Sequence, residues 1–209
     1  MTDRSLSLST MTSPHLERLA QRHSVILGSG SPRRVKLLGD MGIDFEQVVP
    51  AVDETIRNSE DPYRYAERLA KSKATWVSER ERQAIVIGCD TAVVLGTLVL
   101  DKPADEGEAF RTLTTLAGQQ HVVCTAVALA NDGKVRLSGI ERTIVRFNEV
   151  NADQIREYIS TGEPMDKAGA YGIQGMGAFL VDSIEGPLDN VIGLPRKLLE
   201  ELSSRLSIA

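Results

Sequence analysis

Aromatic side chains are scarce in this chain: one Trp, four Tyr and four Phe make up 4% of its 209 residues. Proteins that hold single-stranded nucleic acid commonly stack its bases on aromatic rings, so this composition argues against such a platform. A surplus of cations is missing too, because 29 acidic residues outnumber 24 Lys and Arg and leave a formal charge of −5. That balance excludes a broad nucleic-acid footprint, and any polyanion must meet a local cationic site. Only two cysteines occur, Cys89 and Cys124, each inside an apolar run and without CxxC spacing, which points to small core residues in a reducing compartment. The three histidines, His15, His23 and His121, are too few and too scattered for a zinc cluster or a Ser-His-Asp triad. No apolar run is long enough to span a bilayer, and residues 1–22 begin polar and Ser/Thr-rich, without the apolar core of a signal peptide. The expected location is the cytoplasm, with neither nucleic acid nor membrane as a partner.

What is present is an ordinary globular balance, 42% hydrophobic and 25% charged. "SVILGS" reads as a strand, and "SPRRVKLLGDMG" as a helix that stops on glycine. "FEQVVPAV" is a second strand that runs into the acidic "DET". "DPYRYAERLAKSKATWVSER" has helical spacing of Ala66, Leu69, Ala70, Ala74 and Val77, with Asp61 and Pro62 as its start. "QAIVIGCDTAVVLGTLVLD" predicts a buried strand continuing into a hairpin at Gly96. A capped helix follows in "ADEGEAFRTLTTLAG", then two strands paired across "NDGK", a short helix in "NADQIREYISTG", a glycine-rich stretch, and a last helix from about Pro195. The fold class is α/β: a mixed twisted sheet flanked by helices, because the hairpins rule out a purely parallel sheet. Residues 1–22 are expected to form a partly ordered extension and residues 23–209 one domain, since no linker interrupts them.

The stretch "VILGSGSPRRVKLL" breaks a local rule. Ser31 can cap the helix and Pro32 suits its first turn, yet Arg33 and Arg34 follow, where the helix dipole already places positive charge. "GSGSPR" lacks the third glycine of a dinucleotide fingerprint, and no Walker sequence exists. A helix N-terminus with two guanidinium groups, Ser29 and glycine amides suits an incoming polyphosphate. Asp90 interrupts an apolar strand, so its carboxylate must find a partner or the open end of that strand. Each remaining charge has an equally plain structural reading: "DET" as a solvated loop, Lys73 as a stem whose ammonium reaches water, Lys102 as a loop cation, "GIQGMG" as a cluster of turns, and His121 as a strand-end polar residue. Taken together, Asp90 and Glu54 are hard oxygen ligands for Mg²⁺ or Mn²⁺, and the cations suit phosphate oxygens.

"SGSPRR", "DET", "RLAKSKA", "GCDTAV", "DKPAD", "LAGQQHVVCTAVAL", "YISTGEPMDKAGAYGIQGMGAFLV" and "NVIGLP" resemble, in order and spacing, the Maf family of nucleotide pyrophosphatases, from about Ser24 to Pro195. The resemblance implies hydrolysis of a nucleoside triphosphate to the monophosphate and pyrophosphate with a divalent metal, Mg or Mn. It implies two lobes with a cleft between them, similar to the inosine-triphosphate pyrophosphatases, and a homodimer. Carried over residue by residue, it makes Asp90 the catalytic proton acceptor. It places Ser29, Arg33, Arg34, Lys73 and Lys102 on the substrate, Glu54 and Asp90 on the metal, and Arg33, Thr91 and Gln174 at base selection. "CDTAV" and "AGAYGIQG" are similar to the branch acting on dTTP, UTP and modified pyrimidines, rather than to the 7-methyl-GTP branch, where a Gln follows the Asp and a Glu replaces Gln174. The alternative is a nucleotide-sensing or division-inhibiting module with little turnover. One departure stands out: Pro187 and Leu188 occupy positions where the family commonly has Ser-Tyr.

Overall fold

The computed structural model describes residue 8 and residues 11–207. In chain order the elements are helix α1 (Pro14–Ala20), strand β1 (Val25–Gly28), α2 (Pro32–Gly39), β2 (Glu46–Val48), α3 (Pro62–Ser78), β3 (Ile85–Leu95), β4 (Leu98–Leu100) and α4 (Glu106–Leu116). Then come β5 (Gln120–Asn131), β6 (Lys134–Phe147), α5 (Ala152–Ser160), three 3-10 turns, β7 (Val181–Glu185), α6 (Leu188–Ile192) and α7 (Arg196–Arg205).

The helix starts follow from their first residues. Asp61 accepts from the N–H groups of Tyr63 and Arg64 ahead of α3, Asp105 accepts from Glu108 N–H ahead of α4, and Asn151 forms a reciprocal capping box with Gln154 at α5. Pro32 and Pro62 occupy first-turn positions that need no N–H donor. The sheet is mixed, as expected, with seven strands in the order β2-β1-β3-β5-β6-β7 and β4 on the side of β3. β1 is parallel to both β2 and β3, whereas β3–β4 and β6–β7 are antiparallel. β3 and β5 are buried along almost their whole length, the pattern of strands covered on both faces by helices.

The described chain gathers into two compact units. One comprises the described parts of Ser9–Thr91, Thr125–Glu141 and Gly193–Ala209; the other contains Ala92–Cys124 and Arg142–Ile192. In the first unit, α1 lies within the stretch expected to be a partly ordered extension. Leu16 is fully buried and the Glu200 carboxylate accepts from the backbone N–H groups of His15 and Leu16, so α7 supplies the cap that Ser13 does not. Burying that leucine is worth about 2 kcal/mol. Residues 1–7, 9 and 10, the remainder of the expected extension, lie outside the described residues apart from Leu8. In the second unit, the glycine-rich stretch resolves into 3-10 turns and β7. Both cysteines are buried, as their surroundings predict.

Candidate active site

The site in the first unit begins with a missing side chain. β1 and β3 lie side by side with Gly28 opposite Gly88, and α3 crosses close above Gly88. A Cβ on Gly88 would lie 2.4 Å from the Ala70 carbonyl oxygen and 2.7 Å from the Ala74 Cβ, so only glycine admits the helix at this depth. Strand alternation puts residue 90 on the same face as residue 88, and helical geometry puts Lys73 between the two alanines that touch it. The lysine and the aspartate therefore meet. Lys73 Nζ is 2.7 Å from Asp90 Oδ1 and 2.8 Å from Glu54 Oε1. The ammonium of Lys73 is buried between two carboxylates instead of reaching into water, which replaces the snorkelling reading with an ionic one.

Burial raises the Asp90 pKa above its ordinary 3.8, opposed by the positive charges of Lys73 and Arg34 and by the hydrogen bond from Lys73. A carboxylate made more basic yet kept beside cations is matched to taking a proton from water. Cys89, one residue earlier, points to the opposite face; burial pushes its thiol up to about 11, so it is a packing residue and no nucleophile.

Glu54 owes its position to α3. The Tyr65 hydroxyl donates to the Glu54 carbonyl oxygen at 3.0 Å, and Arg68 Nη2 donates to the Thr55 carbonyl at 3.0 Å. Arg68 is itself fixed by a two-pronged bond to Glu60, at 2.6 and 2.8 Å, which draws the Glu60 carboxyl down to about 2. Sequence reasoning missed Tyr65 and Arg68. Their only sign in the sequence is a three-residue spacing, which puts them on one flank of the helix beside the acidic loop.

Arg34 explains half of the unusual helix start. Its Nε donates to the Gly193 carbonyl at 2.8 Å, Nη1 to Ser29 Oγ at 3.0 Å and Nη2 to Thr91 Oγ1 at 2.9 Å. Thr91 Oγ1 is in turn 2.9 Å from Thr125 Oγ1. Arg34 as a residue is 9% exposed, and its guanidinium ties α2 to Ser29, Thr91 and Gly193. Arg33, on the same turn, is only half-buried. The Ser31 cap is a long one, with Arg34 N–H 3.5 Å from Ser31 Oγ.

The structure thus gathers Ser29, Arg34 and Thr91 in one set of contacts and Glu54, Lys73 and Asp90 in another within one unit, the two meeting at the adjacent residues Asp90 and Thr91. Lys102 and Gln174 belong to the other unit, in separate loops: Lys102 is exposed after β4, with its N–H on Asp101 Oδ1, and Gln174 is exposed between Gly172 and Gly175. His121 does stand near a strand end, as expected, but it does not face solvent. It is buried at the start of β5, edge-on to Phe147 and Tyr171, with Nε2 2.9 Å from the Tyr171 hydroxyl, and burial holds its pKa down to about 4.

Among the described residues no cluster of three or more His, Cys, Asp or Glu forms a ready-made metal cage. Glu54 and Asp90 nevertheless converge on one cation, the Lys73 ammonium. Two hard carboxylates are the donor set that Mg²⁺ uses when substrate phosphates and water complete its shell, so the residues fit such an ion. No helix among the described residues is long and apolar enough to cross a membrane.

The family model described as Maf-like protein matches residues 24–206. The chain belongs to the Maf family. It is 51% identical over 171 residues to the dTTP/UTP pyrophosphatase of Symbiobacterium thermophilum, covering 82% of this chain and 88% of that protein. It is 44% identical over 187 residues to the protein of the same description from Dictyoglomus turgidum, covering 88% and 96%. For the one from Salmonella typhimurium the identity is 45% over 185 residues, covering 88% and 93%. The Maf match begins one residue before β1 and ends in the residue after α7. At the departure from the Maf pattern, the Thr143 hydroxyl donates to the Pro187 carbonyl at 2.9 Å and Leu188 opens α6, so the local loop is held.

Proposed function

We propose that this Maf-family chain hydrolyses dTTP and UTP to the nucleoside monophosphate and pyrophosphate. The observation that carries the reading is the buried Lys73 ammonium shared by Asp90 and Glu54, in the same unit as a helix start bearing Arg33 and Arg34. The names of the Maf relatives supply the substrates.

The reaction needs no nucleophilic side chain. Asp90 accepts the proton of a water molecule as its oxygen bonds to phosphorus; the anhydride bond between the α- and β-phosphates breaks and pyrophosphate leaves with the electron pair. Lys73 holds Asp90 in its ionised form and, with Arg33 and Lys102, stabilises charge on the phosphoryl oxygens. Arg34 has three of its N–H groups on Gly193, Ser29 and Thr91, so its first role is to fix the turn that presents Arg33. A divalent ion held by Glu54 and Asp90 would neutralise the phosphates and polarise the attacked bond. Arg33, Thr91 and Gln174 select the base: a Gln amide both donates and accepts, which suits the imide edge of uracil and thymine. A cytoplasmic location and a homodimer complete the reading.

The test is release of pyrophosphate, converted to phosphate by inorganic pyrophosphatase, across dTTP, UTP, CTP, ATP, GTP and 7-methyl-GTP with Mg²⁺ or Mn²⁺. Preference for dTTP and UTP is expected. Tight UTP binding without turnover would favour a nucleotide sensor, and preference for 7-methyl-GTP would overturn the assignment to the pyrimidine branch.

A further inference from the structure

The loop that carries Gln174 closes around a carboxylate. Glu163 opens the 3-10 turn Glu163–Asp166. Its Oε2 accepts the Met176 N–H at 3.0 Å, and its Oε1 accepts the Gly177 N–H at 3.2 Å and the Tyr158 hydroxyl at 2.9 Å. The Tyr158 oxygen in turn accepts the Gly172 N–H at 3.0 Å. Two side chains thus hold three backbone amides, one before Gln174 and two after it.

The glycines of "GIQGMG" follow from this closeness. A Cβ on Gly172 would lie 2.9 Å from Glu163 Oε1, one on Gly175 2.9 Å from Glu163 Oε2, and one on Gly177 2.5 Å from the Tyr158 oxygen. Gly175 also has φ +105°, a conformation other residues rarely adopt. The three side-chain-free positions Gly172, Gly175 and Gly177 allow the backbone to press against an anion and a phenol, while Gln174 between the first two projects an exposed side chain. A turn needed only to change direction does not require a charged hub. The hub makes sense where the backbone beneath one side chain must not move.

We infer that Glu163 is a positioning residue for base recognition, acting through the Gly172, Met176 and Gly177 amides, with Tyr158 as its partner, to fix Gln174 against the imide edge of a uracil or thymine ring. The inference rests on the reading of Gln174 as a base-selecting residue. A few tenths of an ångström matter for a two-point amide contact, and a charge-assisted bond from a backbone N–H to a carboxylate holds the loop more stiffly than a neutral one.

The experiment compares UTP with CTP, which share a triphosphate and a pyrimidine ring and differ at the edge an amide reads. Steady-state kinetics are measured for wild type, Glu163→Gln, Gln174→Ala, the double variant and Tyr158→Phe, with melting temperature as a folding control. Glu163→Gln turns one acceptor oxygen into an NH2 facing a backbone N–H. It is expected to lower kcat/KM for UTP at least tenfold through KM, to change CTP less than twofold, and to add less than twofold in the Gln174→Ala background. Tyr158→Phe keeps the buried ring and removes the acceptor for Gly172, so it should shift the UTP-to-CTP ratio the same way; it decides the matter if Glu163→Gln fails to fold. Equal losses for both nucleotides, an undiminished loss in the Gln174→Ala background, or an unchanged ratio in Tyr158→Phe would each overturn the inference. A Gln174→Ala variant with a wild-type ratio would remove the base-selection reading itself, whereas a changed ratio there with none in Glu163→Gln would remove this inference alone.

Discussion

Lys73 and Asp90 form a buried ion pair at 2.7 Å across the interface of α3 and β3, with side chains 9% and 10% exposed. Taking two charges out of water costs several kcal/mol each, and mutual attraction rarely repays it with much to spare. Such a pair is a poor way to gain stability. It is a good way to keep a carboxylate both ionised and basic where a reaction needs one.

Asp90→Asn keeps the shape and removes the proton acceptor. Pyrophosphate release is expected to fall by about 10²–10⁴-fold, the range for loss of a general base, while the melting temperature stays within a few degrees. Near-normal turnover would take the base role away from Asp90.

Lys73→Met leaves two carboxylates facing each other with no cation between them. Breaking such a pair by removing one partner costs about 3 kcal/mol, so the melting temperature should fall by about 6–12 °C. Because burial raises the Asp90 pKa above 3.8, ionising it costs stability as pH rises from about 4 through the folded value; the loss in Lys73→Met should shrink on acidification. Added Mn²⁺ should also restore part of it without nucleotide, by taking the place of the ammonium. Scanning calorimetry at several pH values and Mn²⁺ concentrations reads both effects, and a melting temperature indifferent to Mn²⁺ would deny the carboxylates a cation-binding role.

The neighbouring arginines should part company. Arg34→Ala strands the Gly193 carbonyl and loosens Ser29 and Thr91, at a cost of about 3 kcal/mol. Arg33→Ala removes a cation from the positive end of α2, so stability should hold or rise slightly while KM for the nucleotide increases. Urea unfolding and kinetics on both variants decide this, and a loss of unfolding free energy as large for Arg33→Ala as for Arg34→Ala would make Arg33 structural.

His121 predicts an acid-side weakness. Its pKa is held near 4 in the folded protein and lies near 6.5 in the unfolded chain, so the unfolded state binds the extra proton between those values. Stability should fall by about 1.4 kcal/mol per pH unit as pH drops from 6.5 towards 4. The difference between the unfolding free energies of wild type and His121→Gln should carry that slope; parallel curves would show that His121 titrates like an exposed histidine.

Local chemistry made much of this legible. Pro32, Asp61, Asp105 and Asn151 announce helix starts through caps that depend on a few adjacent residues, and the structure puts helices there. Strand β3 and its hairpin through β4 follow from an apolar run broken at Gly96. What stayed hidden depends on partners far along the chain. Nothing near Leu16 says that Glu200 will cap its helix from 184 residues away. The spacing of Lys73 shows which side of α3 it occupies, but not that two carboxylates wait there. The expected phosphate role of Arg34 gives no sign that Gly193, part of the "NVIGLP" block, accepts its Nε–H. The aromatic trio of His121, Phe147 and Tyr171 joins segments no periodicity connects.

Gly88 turns the absence of a methyl group into a dimension of the site. With Ala70 and Ala74 resting directly on the strand, the thickness of the helix–sheet layer is set by backbone contact, which has almost no give. Lys73 therefore reaches Asp90 at a fixed depth, without relying on a flexible stem to find it. A Gly88→Ala variant would change neither charge nor polarity and would leave every proposed ligand in the sequence. It would still lift α3 away from the sheet, admit water between ammonium and carboxylate, and silence the site by thickening the layer on which it stands.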